Sequence, residues 1–496
     1  MAKPDEKRRI IFGIKLREAR ENSGYSLKKL GGLCSISPSY LNEIEKGKKY
    51  PSTEKVNSIA EHLKVDVDWL LSEKLDKKLA PVSDLLESGI LKELPLAMLG
   101  LELPKLLELL SNTPSKLNAF IRTLIEITRN YNLRVETFYF SVMRSYQEIH
   151  DNYFESLEAH AERFLKKHKF NLSNPITSDM LAKVLKRDFD YTIVKDGFSS
   201  DPHLADLRSY VKKGKTRITL FLNKDLSESQ KAFIYGREIG YCYMNLEARS
   251  YTSTWVEISS FEEVLNNFRA SYFSNAIFLH KTQFLKDLKS FLSNPNWNEE
   301  VLFTTLTRYN CTPEMLLQRL TNLLPKHFGL KELFFLRFTN VPGTQQYELS
   351  KEMHLGGIRD PRGTVLQEHY CRRWMFIDIL DRMAERQRSG TYRNEVMGGG
   401  QIATYFDSKD SYLVFSIARP LFPTPHVNSS LTLGIKLDAK TKAKIAFVKD
   451  ASIRSRLVHN TCERCPAQNC KHRSAKPTVW LENEKLRKRK ELLKKL

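Results

Sequence analysis

Between Phe12 and Leu71 the apolar positions recur at helical spacing in short blocks separated by turn chemistry, which predicts a bundle of short amphipathic helices. Leu16 and Ala19, with Arg20 beside them, mark a first helix that stops at Asn22-Ser23-Gly24, where glycine suits a left-handed C-terminal position. Ser26 caps a second helix carrying Leu27, Leu30 and Leu33 on its apolar side. Cys34 to Ser37 then forms a short turn ending in a good N-cap, with Pro38 at the first helical position. Along the third helix Tyr40, Leu41 and Ile44 fall at core spacing, which leaves Ser37, Ser39, Asn42, Glu43 and Lys46 facing solvent.

Further along, the pattern changes three times. Residues 76–133 are leucine-rich and interrupted by Pro95, Pro104 and Pro114, as short helices joined by proline breaks would be. From Leu133 to about Lys167 a long helical pattern carries Phe138, Phe140, Met143, Tyr146, Ile149, Tyr153 and Leu157. A β-rich run follows at Asp190, then Leu207–Val211 and Thr216–Leu222 read as a hairpin closed by Lys212-Lys-Gly-Lys215. Ser227 and Gln230 form a capping box that opens a helix through Phe233, Arg237, Glu238 and Tyr241.

A chain of 496 residues exceeds the roughly 250 to 300 at which one core stops growing, so several domains are expected. Four fit the pattern: residues 1–75, a linker at 76–133 suited to dimerisation, 134–330, and 331–496 with a basic tail. The fold class expected is mainly α with α+β parts: a five-helix N-terminal bundle, a helical linker and two α+β domains. The formal charge of +21 and a pI near 9.5 favour an anionic partner. That charge is spread, with 15 basic and 11 acidic residues in 1–75, and 11 basic and 4 acidic in 461–496. The basic run from Arg487 to Lys490 reads first as a solvated helix end. No apolar run approaches the ~20 residues of a membrane span and Met1–Glu6 lacks a signal-peptide core, so a cytoplasmic protein without membrane association is expected.

Serine, asparagine and lysine side chains hydrogen-bond base edges and phosphates, so the polar face of the third helix and the lysines after it suit DNA. The run from Ser37 to Pro51 resembles the recognition helix and following loop of phage-repressor-type helix-turn-helix domains. Gly31 holds the small position usual in the preceding helix, and Lys28 stands near the place of the glutamine frequent in that family. The DNA-contacting candidates are Lys28, Ser37, Ser39, Tyr40, Asn42, Lys46, Lys48 and Lys49, and such domains read two half-sites as a homodimer.

The strand, hairpin and helix through Gly236-Arg-Glu-Ile-Gly-Tyr241 resemble the core of zinc peptidase-like domains. Active members place two histidines four apart with a glutamate between them. Here Arg237 and Tyr241 stand in the histidine positions and Glu238 alone remains; a guanidinium cannot ligate zinc, so no enzyme is expected. The cleft, lined by Arg208, Arg237, Tyr241 and Tyr272, offers cations and aromatic faces to a phosphorylated, base-bearing ligand.

Cys462-Glu-Arg-Cys465 and Cys470 put three thiols within nine residues, spacing suited to a metal. Cys371 or His472 would supply a fourth ligand: four thiolates suit an iron–sulfur cluster, three with a histidine suit structural zinc. Cys34, Cys242 and Cys311 read as core thiols.

Taken in order, the helix-turn-helix, the degenerate peptidase-like region, Cys371-Arg-Arg-Trp374 and the terminal cysteines resemble the short-chain fatty-acyl transcriptional regulators over essentially the full length. That family includes regulators of propionate catabolism and the glyoxylate cycle. The resemblance implies control of acetate, propionate or fatty-acid metabolism genes, short-chain acyl-CoA as effector, and a 4Fe-4S cluster on Cys371, Cys462, Cys465 and Cys470. Two other readings remain open from the residues: a regulatory peptidase, which the missing histidines disfavour, and an antitoxin-like protein acting on a partner protein.

Overall fold

The computed structural model describes residues 6–72, 135–198, 201–214, 217–253, 255–358, 361, 368–408 and 410–495. The leucine-rich stretch assigned to dimerisation lies outside the described residues. The chain divides into two compact units, Met1–Val142 and Met143–Leu496. Their described residues are about half helical, with two sheets in the second unit.

The N-terminal unit contains α1 (Glu6–Asn22), α2 (Leu27–Cys34), α3 (Pro38–Glu45), α4 (Thr53–Leu63) and α5 (Val67–Leu71). The local signals act as the sequence suggests: Ser26 Oγ accepts from Lys29 N, Ser37 Oγ accepts from Tyr40 N, and Gly24 sits at φ +65°. Gly31 is required by space, because a Cβ there would lie 2.5 Å from the Ile36 carbonyl oxygen. One apolar assignment is corrected. Leu33 is exposed, since the buried side of α2 runs through Leu30, Gly31 and Cys34. Two polar clamps hold the bundle. Buried Lys15 donates to the carbonyls of Trp69 and Ser72 at 2.7 Å each, closing the end of α5, and Arg20 pairs with Glu45 at 2.6 Å, tying α1 to the end of α3.

The helical pattern at 133–167 is two helices, α6 (Val135–Ile149) and α7 (Glu155–Lys167), rather than one. Asp151 and Asn152 adopt positive φ between them, and Asn152 is buried with its amide donating to Thr321 Oγ1 at 2.9 Å. After α8 (Ser178–Phe189), strands β1 (Tyr191–Lys195), β2 (Ser209–Lys213), β3 (Ile218–Leu222) and β4 (Thr252–Ser253) form a small sheet in the order β1-β3-β2-β4. β2 and β3 are the expected antiparallel hairpin. The expected capping box at Ser227 opens α9 (Glu228–Tyr243). α10 (Phe261–Phe278), α11 (Lys281–Ser293), α12 (Glu300–Arg308) and α13 (Pro313–Phe328) follow.

The second sheet has the order β10-β7-β8-β9-β5-β6, from β5 (Leu333–Asn340), β6 (Glu348–Leu355), β7 (Met397–Tyr405), β8 (Ser411–Leu421), β9 (Thr424–Lys436) and β10 (Arg454–Val458). Strand alternation divides its two faces. Leu333 and Phe335 point into the large core shared with α7 to α13, whereas Phe334, Leu336 and Phe338 pack with Trp374 and α14 (Met375–Arg388). The large core runs from Tyr153 to Ile453, so 134–330 and 331–496 fold around common side chains. The basic C-terminal segment is α16 (Thr478–Leu493), after the short α15 (Ala439–Lys444), and it buries none of its residues. Among the described residues no helix is long and apolar enough to cross a membrane.

Candidate nucleic-acid interface, effector region and cysteine cluster

Helix α3 buries Leu41 and Ile44 and turns Ser37, Ser39, Asn42 and Lys46 outward, with Asn42 half-buried and the others exposed. Ser37 Oγ already accepts one hydrogen bond as the cap, so its hydroxyl proton is what it can offer a phosphate or base. Lys48 and Lys49 are exposed just beyond the helix, where both backbone amides fold back onto the Glu43 carbonyl. Lys28 is exposed on α2. Tyr40 is half-buried: its hydroxyl donates to the Tyr50 carbonyl at 3.3 Å and the Lys55 ammonium lies 4.6 Å from its ring centre. The sequence reading omitted Lys55, whose place beside Tyr40 depends on α4 packing.

These exposed groups sit on a framework of known type. A family model for a helix-turn-helix domain matches residues 13–75. Residues 13–75 are a helix-turn-helix domain. The "Transcriptional regulator ClgR" of Mycobacterium tuberculosis is 35% identical over 63 residues, 13% of this chain and 56% of that protein. The "HTH-type transcriptional regulator DdrOP3" of Deinococcus deserti is 39% identical over 57 residues, 12% of this chain and 44% of that protein. The chain thus spans about half the length of the curated relatives it matches. A solved Mycobacterium tuberculosis transcriptional regulator overlays 67% of this chain and 92% of its own at 16% identity and a TM-score of 0.44.

In the second unit Arg237 and Tyr241 lie one turn apart on α9, both buried. Glu238 between them is fully buried and is held by Arg249, whose Nη2 lies 2.7 and 2.9 Å from the two carboxylate oxygens. Tyr191 donates its hydroxyl to the same carboxylate at 3.1 Å, and the Arg249 guanidinium lies 4.1 Å from the Tyr241 ring centre. A fixed cation thus occupies the carboxylate. The sequence reading missed Arg249 because nothing in its spacing from Glu238 marks the pair.

Four side chains were expected to share one cleft, and the structure divides them. Arg208 is close enough to Arg237 to feel its charge. Tyr272 belongs elsewhere: its hydroxyl donates to Glu158 Oε1 at 2.7 Å, and Arg319 grips the same carboxylate at 2.5 and 2.9 Å. That buried triad joins α7, α10 and α13, so Tyr272 is held in the core by Glu158 and Arg319.

The cysteines at 371 and 462 are brought together by a short antiparallel contact. Tyr370 bridges Thr461, Cys371 N donates to the Asn460 carbonyl at 3.1 Å, and Cys462 N donates to the His369 carbonyl at 2.8 Å. Cys371 and Cys462 are therefore diagonal neighbours on one face. Cys465 follows one turn later, its amide donating to the Cys462 carbonyl at 3.3 Å, and Arg473 ties the loop by donating to the Cys462 and Cys465 carbonyls. Burial pushes the Cys371 thiol up to about 11, with Cys462 and Cys465 adding to the rise. All four thiols are free, three of them buried and Cys470 half-buried. Among the described residues no three histidine, cysteine, aspartate or glutamate side chains are grouped tightly enough to hold a metal ion. The donor types themselves suit a thiophilic metal. Of the remaining cysteines, Cys34 and Cys311 are buried and Cys242 is half-buried beside the Tyr191 hydroxyl.

Proposed function

We propose that this chain is a sequence-specific DNA-binding transcriptional regulator of the short-chain fatty-acyl type, acting as a homodimer. The observation that carries the DNA-binding part is the outward polar face of α3, flanked by Lys46, Lys48 and Lys49 on a helix-turn-helix framework. Phosphate contacts from the lysines would position the domain, and Ser39 and Asn42 would read bases. The unit from Met143 onward would sense a short-chain acyl-CoA, with Arg208, Arg237 and Tyr241 facing its charged and aromatic parts. A ligand changes operator affinity only if it binds the two arrangements unequally, and a coupling of ~1 to 3 kcal/mol gives a five- to hundred-fold effect. Acetate, propionate or fatty-acid metabolism genes would be its targets.

In this reading the middle region is not a peptidase. A general base needs a free, accessible carboxylate, whereas Glu238 is buried and paired with Arg249. Cys371, Cys462, Cys465 and Cys470 would hold a 4Fe-4S cluster, with structural zinc as the other occupant the donors suit. Either would fasten the segment after Cys462 to the one beginning at Cys371. The reading is tested by titrating the protein, prepared without oxygen, against its own upstream DNA with and without acetyl-CoA and propionyl-CoA. Specific binding that changes with ligand supports it. Failure to prefer that DNA over random sequence would reject it.

A further inference from the structure

Strand register gathers an unusual number of cations on one face of the six-stranded sheet. Arg337 on β5 pairs directly with Lys351 on β6; two residues on, Thr339 pairs with Ser429 of β9, which pairs with Arg419 of β8. Paired residues share a face, so Lys351, Arg337, Ser429 and Arg419 project to the same side. The first turn of α13 brings Glu314 over them, its Oε1 2.9 Å from Lys351 Nζ and its Oε2 3.4 Å from Arg337 Nη1.

From the small-sheet side comes Arg208, set immediately before β2. Its amide donates to the Ser253 carbonyl at 2.5 Å and its own carbonyl accepts from Asn223 N at 3.0 Å, so its backbone is fixed at both ends. Its guanidinium makes no hydrogen bond or ion pair among the described residues, yet it lies within electrostatic reach of Glu314, Arg337, Arg419 and Arg237. Burial lowers the pKa of both Arg208 and Arg419, with Glu314 opposing that effect in each. One polar atom here is also buried without a partner, Ser429 Oγ, on a residue 2% exposed, whereas neighbouring Arg237 pairs with Glu238, its Nη2 3.7 Å from Oε1.

Four cationic side chains, Lys351, Arg337, Arg208 and Arg419, therefore surround the Glu314 carboxylate. A surplus of partly buried cations is costly unless an anion completes it. One monovalent carboxylate would leave most of that charge uncompensated, whereas phosphate oxygens accept paired N–H groups from several guanidinium forks at once. We infer that this seam binds the phosphate groups of a phosphorylated metabolite, with Arg208, Arg337 and Arg419 as the clamp and Ser429 as a further donor. Glu314 presets the guanidinium groups and limits affinity, so that the ligand is exchangeable. The inference deepens the sensor reading and rests on it for the ligand's remaining parts, but the phosphate site itself is measurable without DNA.

The test is calorimetric titration of the full-length protein with sodium pyrophosphate at fixed ionic strength, with sodium acetate as control. Saturable pyrophosphate binding is expected, with affinity about tenfold or more weaker in each of R208Q and R419Q. E314Q is expected to bind more tightly, a direction that a purely structural role for these residues does not produce. No saturable binding, or unchanged affinity in both arginine variants, overturns the site. Circular dichroism on each variant separates loss of fold from loss of binding, and S429A, which removes one hydroxyl, provides a mild fourth variant expected to weaken binding. Acetyl-CoA is titrated in parallel. Pyrophosphate binding without acetyl-CoA binding, or acetyl-CoA binding that persists unchanged in R208Q and R419Q while pyrophosphate binding is lost, would leave this site standing and remove acyl-CoA as its ligand.

Discussion

Arg249 grips both carboxylate oxygens of the fully buried Glu238, at 2.7 and 2.9 Å. The side chain that a zinc peptidase would leave free for water is here the acceptor in an internal ion pair, eleven residues from its partner in the chain. Removing Arg249 leaves the buried carboxylate only the longer Arg237 contact, at 3.7 Å, as a cation. Arg249→Met should cost about 3–5 kcal/mol, read as a lower urea midpoint, and R249M combined with Glu238→Leu should recover much of that loss. An R249M protein as stable as the parent would contradict this account of the pair.

Glu158 should give the second unit a measurable acid sensitivity. Burial pushes its carboxyl up, but the Arg319 charge and hydrogen bonds, with help from Tyr272, outweigh burial and hold the pKa below its ordinary value of 4.5. A lowered folded pKa means that the stabilisation is complete above the unfolded value and is lost as pH falls through the folded one. Urea unfolding at neutral and at acid pH should show this slope in the parent and a flatter one in Glu158→Gln. The variant should also be weaker at neutral pH, since it leaves the Arg319 charge buried alone.

On the DNA side, base-reading and phosphate-anchoring residues should separate. Asn42→Ala should cost about 1–3 kcal/mol on the specific site and little on random sequence. Lys48→Ala and Lys49→Ala should weaken both equally and lower the salt slope by about one each. Competition binding across a salt series distinguishes the two patterns; an equal loss on both DNAs for N42A would show that Asn42 does not read bases.

Metal analysis of protein purified without oxygen tests the cysteine cluster. Cys462→Ser should lower iron and sulfide content, or zinc if that is the occupant, and reduce the thermal stability of the second unit. Metal content equal to the parent's would take Cys462 out of the site. Because metal displaces the protons of thiols that burial keeps neutral, uptake into apo-protein should release protons and weaken toward acid pH.

What the sequence made legible was local. Ser26, Ser37 and Gly24 act within one turn of themselves, so the boundaries of α2 and α3 follow from them, as the start of α9 follows from Ser227 and Gln230. Where tertiary contacts decide, reading failed. The break at Asp151 and Asn152 is held by Thr321 and Asn322, about 170 positions away, while the apolar period continues across it. Leu33 was placed inward by its type, but helix phase turned it out. Tyr272 was grouped with Arg237 by proximity in fold logic and instead answers to Glu158 on another helix. The cations around Glu314 come from three strands and the residue before β2, and only strand register reveals that Arg337, Ser429 and Arg419 share a face. Residue type leaves Cys371 and His472 both open as partners of Cys462 and the family resemblance points to Cys371, while the bridge between Tyr370 and Thr461 brings Cys371 and Cys462 side by side.

The most direct measurement is the anaerobic titration of full-length protein against its own upstream DNA and against random DNA of equal length, with and without acetyl-CoA or propionyl-CoA. A preference for the upstream sequence, together with a five- to hundred-fold shift in affinity on adding ligand, is the expected result. Equal, salt-sensitive binding to both DNAs that ignores either ligand would contradict the central claim that this chain couples specific DNA recognition to an acyl-CoA.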